Sequence, residues 1–127
     1  MPIRCLIVDD NEGFLAAARA LLERQGLTVT GLASTGAEAL RQLRTSRPDV
    51  ILVDIWLKEE NGLDLARRLV EDDPGDGAAV VLISTRAEED VADLIDVSPA
   101  AGFIAKSDLS AGAIARILGN RPGRGVG

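Results

Sequence analysis

Ile3-Arg4-Cys5-Leu6-Ile7-Val8-Asp9-Asp10 is a short, mainly apolar run that ends on two carboxylates. Three further runs share its design. Val50 to Val53 leads into Asp54, Ala79 to Ile83 into Ser84 and Thr85, and Gly102 to Ala105 into Lys106. Short apolar runs bounded by polar residues suit strands covered on both faces. If they are parallel strands of one open sheet, their polar ends gather at its carboxyl edge, where ligand sites of such sheets lie. Three carboxylates, a hydroxyl and a lysine in one crevice point to a divalent metal and a phosphoryl group.

Helical spacing fills the intervals between the runs. Phe14, Leu15, Ala18, Leu21 and Leu22 recur at helix period, and Gly26 stops that helix. Leu27 to Ala33 alternates weakly and reads as another strand. Thr35 and Glu38 have capping-box spacing before Ala37, Leu40 and Leu43, and Pro48 ends that segment. Leu63, Ala66, Leu69 and Val70 mark a third helix closed by Pro74 and Gly75. Val91, Leu94 and Ile95 mark a short acidic fourth limited by Pro99. Ile114, Ile117 and Leu118 mark a fifth, broken at Gly119. Five strand–helix alternations predict an α/β fold, a doubly wound parallel sheet with helices on both faces. One domain is expected over residues 1–119. Residues 120–127, rich in Gly, Pro and Arg, read as a disordered tail or the start of a linker.

The chain has 127 residues, which suits a single domain with one ordinary core. A net charge of −6 argues against direct nucleic-acid binding, which usually needs a basic face. The aromatics are Phe14, Trp56 and Phe103, too few for a base-stacking platform. Cys5 lies inside an apolar run and reads as a buried thiol, which fits a reducing compartment. No signal peptide is visible and no apolar run approaches the ~18 residues that span a membrane, so a cytoplasmic protein is expected. Histidine is absent. A histidine base, a histidine metal ligand and a phosphohistidine on this chain are thereby excluded.

A dinucleotide site would place a glycine-rich fingerprint after the first strand. Asp9-Asp10-Asn11-Glu12-Gly13 stands there instead, and two carboxylates repel a pyrophosphate unless a cation lies between them. No P-loop pattern occurs. Each polar strand end also has a plain structural reading. Asp9, Asp10 and Asn11 suit the cap of the first helix, Ser84 suits a helix cap, and Asp54 and Lys106 suit a loop and a solvated charge. Only their joint placement favours a site.

Together these residues resemble the receiver domain of two-component response regulators, over Ile3 to Leu118. The resemblance rests on Asp9-Asp10 after the first strand, on Asp54 in Leu52-Val53-Asp54-Ile55-Trp56-Leu57, and on Asn61-Gly62. It also rests on Ser84 after the fourth strand, Lys106 after the fifth, and Phe103 before that lysine. Gly102-Phe103-Ile104-Ala105-Lys106-Ser107 is similar to receivers that precede a LuxR-type helix-turn-helix output. The resemblance implies a flavodoxin-like (βα)5 fold with strand order 2-1-3-4-5. It implies that Asp54 takes a phosphoryl group from a sensor histidine kinase or phosphotransfer protein. Mg²⁺ is then held by Asp9, Asp10, Asp54 and the Trp56 carbonyl. Lys106, Ser84 and the backbone amides of Trp56 and Thr85 hold phosphate oxygens. Ser84 and Phe103 switch the surface of helix four, strand five and helix five, through which a homodimer can form. Such a chain catalyses only its own phosphorylation and dephosphorylation.

The departures from the family pattern concern the loops. Ser107 follows Lys106 where a proline is common, so a trans peptide and a looser loop are expected, with Ser107 or Asp108 capping the fifth helix. Leu57-Lys58 replaces a common Met-Pro. Lys58 frees a φ angle and makes its loop more mobile, and with Glu59 and Glu60 it reads as a solvated charge run. The resemblance implies that Trp56 and Arg86 flank the path of a hydrolytic water, where they are expected to slow phosphate loss, while a plain exposed or interface tryptophan is the competing reading. Two other functions compete with the phosphoacceptor. One is a receiver-like interaction module that takes no phosphate. The other is a metal-dependent phosphatase of another fold, whose Asp-x-Asp motif Asp54-Ile55-Trp56 does not supply.

Overall fold

The computed structural model describes residues 2–72 and 77–119. Five strands, β1 (Arg4–Val8), β2 (Thr28–Ala33), β3 (Val50–Asp54), β4 (Ala79–Ser84) and β5 (Gly102–Ala105), alternate with five helices. These are α1 (Glu12–Arg24), α2 (Gly36–Ser46), α3 (Gly62–Asp72), α4 (Glu88–Asp96) and α5 (Ala111–Gly119). The sheet is parallel in the order β2-β1-β3-β4-β5, as expected. The anticipated tail and the Pro74-Gly75 stop lie outside the described residues.

Strand alternation divides the core in two. Leu6, Val8, Ile51, Val53, Val80 and Leu82 face one side and meet Leu43 of α2, Leu65 and Leu69 of α3 and Val91 of α4. Cys5, Ile7, Leu52, Val81 and Ile83 face the other side and meet Leu15 and Leu22 of α1 and Ile114 of α5. The central strands β3 and β4 are buried throughout, which is why they read as unbroken apolar runs. Burial pushes the Cys5 thiol up to about 12, so it is an inert core group.

β3 and β4 each run one residue further than the apolar pattern suggests. Asp54 pairs in register with Ile83, and Ser84 with Ala105. The ladder therefore carries the polar residue itself, and rigid strand backbone fixes where its side chain begins.

The helix starts meet expectation at α1 and α2 in part and depart from it at α4 and α5. Asn11 caps α1 by accepting from the Phe14 amide at 3.0 Å, which leaves Asp9 and Asp10 out of that role. Thr35 caps α2 from the Glu38 amide at 3.2 Å, but the Glu38 carboxylate reaches back to Ser34 rather than Thr35. Its bonds to Ser34 hold the Glu38 carboxyl below its usual range. Ala87, not Ser84, stands at the start of α4, without a side-chain cap. The acidic first turn of Glu88, Glu89 and Asp90 suits the positive end of that helix dipole instead. Ser110, not Ser107 or Asp108, starts α5 by accepting from the Ala113 amide at 3.0 Å. Lys106–Asp108 forms a 3-10 turn instead of a loose loop, and the described peptide bonds are all trans.

Candidate functional site

At the carboxyl edge the polar residues that end four of the strands converge as the sequence suggested. Asp9, one residue past β1, is fully buried. Asp10 beside it is half-buried, and Asp54 ends β3 with 6% of its surface exposed. Ser84 ends β4 and is fully buried, and Lys106 opens the turn after β5. Lys106 Nζ lies 2.5 Å from Asp9 Oδ2 and 3.2 Å from Asp54 Oδ2, so one ammonium bridges two strand ends. It also lies 4.3 Å from the centroid of the Phe14 ring, close enough for a cation–π contact from α1.

Backbone amides hold the other carboxylate oxygens. Asp9 Oδ1 accepts from Asn11 N at 2.9 Å, and Asp54 Oδ1 accepts from Trp56 N at 2.9 Å. Asp10 Oδ2 accepts from Lys58 N at 2.5 Å. A proline at position 58 has no such N–H to give.

The electrostatics of the cluster are unbalanced. Burial raises the Asp54 carboxyl above its usual range, and the charge of Asp9 adds to this against the opposing Trp56 amide and Lys106. Burial alone lowers the Lys106 ammonium, but bonds and charges from Asp9 and Asp54 override it and hold it above its usual value. Lys106 is therefore a fixed cation at neutral pH. With the three carboxylates ionised it still leaves a net charge of about −2 in a poorly solvated crevice.

That imbalance fits a divalent cation. Asp9, Asp10 and Asp54 each offer an oxygen within 4.8 Å of the others. Asp9 Oδ2 is buried and, although in ion-pair contact with Lys106, makes no well-directed hydrogen bond. An all-oxygen donor set with room on its solvent side suits a hard cation that keeps some of its water.

The rim is built by the β3–α3 and β4–α4 loops. Trp56 is 52% exposed, with the Arg86 guanidinium 5.5 Å from its ring centroid. Ser84 Oγ accepts from Arg86 N at 3.1 Å, so the serine also fixes the backbone that carries that arginine. Thr85 is exposed beside it. Phe103 is half-buried against the α2–α4 side of the core and, with Thr85, Ala87, Ile104 and Ile117, lines a cavity of about 550 Å³.

The β3–α3 loop leaves Lys58 and Glu59 exposed, as a solvated charge run would have them, but half-buries Glu60. Trp56 and Asn61 pair as an antiparallel bridge, and Gly62 N donates to Ile55 O at 3.1 Å. A Cβ on Gly62 would stand 2.1 Å from the Asp54 carbonyl oxygen, so only glycine lets the chain return there. Lys58 is tied through its amide to Asp10, and the half-buried Glu60 accepts from Gly36 N at 2.7 Å. Neither contact has a sequence signal beyond the absence of proline at position 58. The Phe14–Lys106 contact was equally hidden, because Phe14 also fits the apolar stripe of α1.

The family profile for the response regulator receiver domain matches residues 5–115. Response regulator GacA from Pseudomonas viridiflava is 32% identical over 105 residues, which cover 82% of this chain and 48% of that protein. The signal receiver domain of a modulated diguanylate cyclase from Desulfovibrio desulfuricans G20 superposes with a TM-score of 0.75. It is 28% identical, covering 94% of this chain and 92% of that one. A response regulator from Burkholderia pseudomallei, solved with a phosphorylated aspartic acid, a calcium ion and citrate, gives a TM-score of 0.78. It is 27% identical over 93% of this chain and 68% of that one. The chain spans less than half the length of the curated relatives it matches.

Proposed function

The chain belongs to the response regulator receiver domain family, and from that premise we propose that Asp54 is its phosphoacceptor. The observation that carries this reading is the bridge from Lys106 to both Asp9 and Asp54 at the end of β3. The bridge joins two buried carboxylates to a fixed cation, and Asp10 lies within reach of both, which supports reading Asp54 as the nucleophile.

A carboxylate with an ordinary pKa of ~3.9 is ionised at neutral pH and needs no general base, even with some upward shift. An Asp54 oxygen attacks phosphorus and the P–N bond of a phosphohistidine breaks. The imidazole leaves with the bonding electron pair and takes a proton from its own surroundings. Since the chain has no histidine, the donor belongs to a sensor histidine kinase or phosphotransfer protein. Asp9, Asp10, Asp54 and the Trp56 carbonyl are the groups that would hold Mg²⁺. The ion would supply positive charge against the repulsion between carboxylate and phosphoryl group. Lys106 pairs with a phosphoryl oxygen as charge accumulates, and the amides of Trp56 and Thr85 donate to others. Catalysis here is positioning and charge stabilisation. Water later attacks the acyl phosphate, so the chain catalyses only its own modification.

Ser84 and Phe103 carry the readout. The Ser84 hydroxyl turns to a phosphate oxygen, which draws in the β4–α4 loop and repacks Phe103 at its cavity. The surface of α4, β5 and α5 then changes shape for a second copy or an output domain, consistent with transcription control of the LuxR type. The described residues contain no helix long and apolar enough to cross a membrane. The buried free Cys5 agrees with a cytoplasmic setting. The negative charge leaves nucleic-acid contact to other segments or partners.

Incubation with acetyl phosphate and Mg²⁺, followed by intact mass measurement, tests this reading. One added phosphoryl group is expected, and none in Asp54→Asn. Absence of the gain in the wild type, under conditions that label another receiver, favours an interaction module that takes no phosphate.

A further inference from the structure

We propose that Glu60 is a positioning residue that fastens the metal-site loop to the N-terminus of α2. The inference rests on the phosphoacceptor reading for what the loop serves, and on geometry for the tether itself.

Residues 55–61 form a closed loop whose base is fixed by the Trp56–Asn61 bridge and the Gly62-to-Ile55 bond. Its tip has no such internal support and is held from outside at two points. Lys58 N donates to Asp10 Oδ2 at 2.5 Å, and Gly36 N donates to Glu60 Oε2 at 2.7 Å. The first amides of a helix have no partner within it. Thr35 Oγ1 satisfies the Glu38 amide, and Glu60 supplies an acceptor for the Gly36 amide. A carboxylate at that end also suits the helix dipole.

Gly36 is shaped for this contact. A Cβ there would lie 2.2 Å from Glu60 Oε1 and 3.1 Å from both its Cδ and Leu65 Cδ1, so a side chain at position 36 would displace the carboxylate from this seat. The gap between loop and helix is a cavity of about 350 Å³ lined in part by Asp10, Ser34, Thr35 and Leu57. Loss of the Glu60 contact leaves the tip hanging from Asp10, a residue of the carboxylate cluster. The tether thus makes the placement of Asp10 and Trp56 depend on α2.

Two readouts test this, with far-UV circular dichroism confirming that each variant is folded. The first is amide hydrogen exchange of the metal-free protein at Gly36 and at residues 56–61. The second is Mg²⁺ affinity, read from the fluorescence of the single Trp56. Glu60→Ala should speed exchange at those amides and weaken Mg²⁺ binding by about five- to tenfold, the scale of one ordinary hydrogen bond. Gly36→Ala should do the same with the charge retained, since it expels the carboxylate. It also serves if Glu60→Ala fails to fold. Glu60→Gln, which keeps an acceptor without the charge, should stay within about twofold of the wild type. Wild-type exchange and affinity in Glu60→Ala and Gly36→Ala overturn the proposal. Equal losses in Glu60→Gln and Glu60→Ala also overturn it, because they show that Glu60 acts by charge alone. If the wild type binds no Mg²⁺, the functional reading fails, and exchange in the metal-free protein still decides the tether.

Discussion

Lys106 and Asp9 form an ion pair across the carboxyl edge, from the end of β5 to the end of β1, at 2.5 Å with Asp9 fully buried. The two residues are far apart in sequence, and β3 and β4 lie between their strands, so the long lysine side chain reaches back across the edge to Asp9. The same ammonium reaches Asp54 at 3.2 Å. One cation among three carboxylates holds the edge together but does not neutralise it.

A bound cation should therefore stabilise the fold. A ligand that binds only the native state at a hundred times its dissociation constant adds about 2.7 kcal/mol. For a domain of this size that corresponds to a rise in melting temperature on the order of 10 °C. Differential scanning calorimetry over a Mg²⁺ series, with Na⁺ at matched ionic strength, measures it. Asp10→Asn should abolish most of the rise. A wild-type curve that ignores Mg²⁺ removes the cation from the mechanism.

Asp54 should cost the metal-free protein stability at neutral pH. Its carboxyl is raised in the native state, first by burial and then by Asp9. The native state therefore holds the Asp54 proton to higher pH than the unfolded chain does. The stability linked to that proton is complete below the unfolded pKa and is lost as pH rises through the native one. Asp54→Asn keeps the shape without the charge. It should raise the metal-free melting temperature at pH 7 by a few degrees, roughly what ~1 kcal/mol gives, with a smaller gain near pH 4. An equal or lower melting temperature at pH 7 contradicts this account.

The Arg86 guanidinium stands 5.5 Å from the centroid of the Trp56 ring, and on the phosphoacceptor reading the pair is proposed to cover one approach to Asp54. Both residues are largely exposed, so they serve the core little. Trp56→Ala should shorten the lifetime of the acyl phosphate severalfold by opening a path to water. Arg86→Ala should act in the same direction. Because the two are stacked, the double variant should lose less than the product of the single effects. The decay of phosphorylated protein after removal of the donor measures this. Unchanged decay in Trp56→Ala shows that the tryptophan is not a barrier to water.

Much of this edge was legible in the sequence because strand ends are local signals. An apolar run fixes the strand, and the residue that breaks it is the one the edge displays, as with Asp54 and Lys106. The loops were less legible. Lys58, Glu59 and Glu60 look alike as charges, yet Lys58 acts through its amide and Glu60 through a helix start reached only in three dimensions. Phe14 was hidden differently. It satisfies helix periodicity, so nothing local announces that its ring faces Lys106. The caps slipped for a similar reason, since Ser, Asp and Asn side by side compete for one helix start and tertiary placement chooses among them.

Gly62 offers the sharpest test of how closely the loop is tied to the acceptor. Its backbone passes so near the end of β3 that a Cβ would meet the Asp54 carbonyl oxygen at 2.1 Å and Ile55 backbone atoms at 2.8 Å. Those contacts are backbone, so no side-chain rotation relieves them. The φ angle of Gly62 is not positive, so the objection to alanine is steric rather than conformational. Gly62→Ala must push β3 and α3 apart, at a cost of about 1–3 kcal/mol by comparison with other overpacked sites. The shift also moves Asp54 away from Lys106. Urea unfolding should show the loss of stability, and acetyl phosphate labelling should fall by more than the folded fraction does. If Gly62→Ala stays as stable and as readily labelled as the wild type, the close passage is not what holds Asp54 in place.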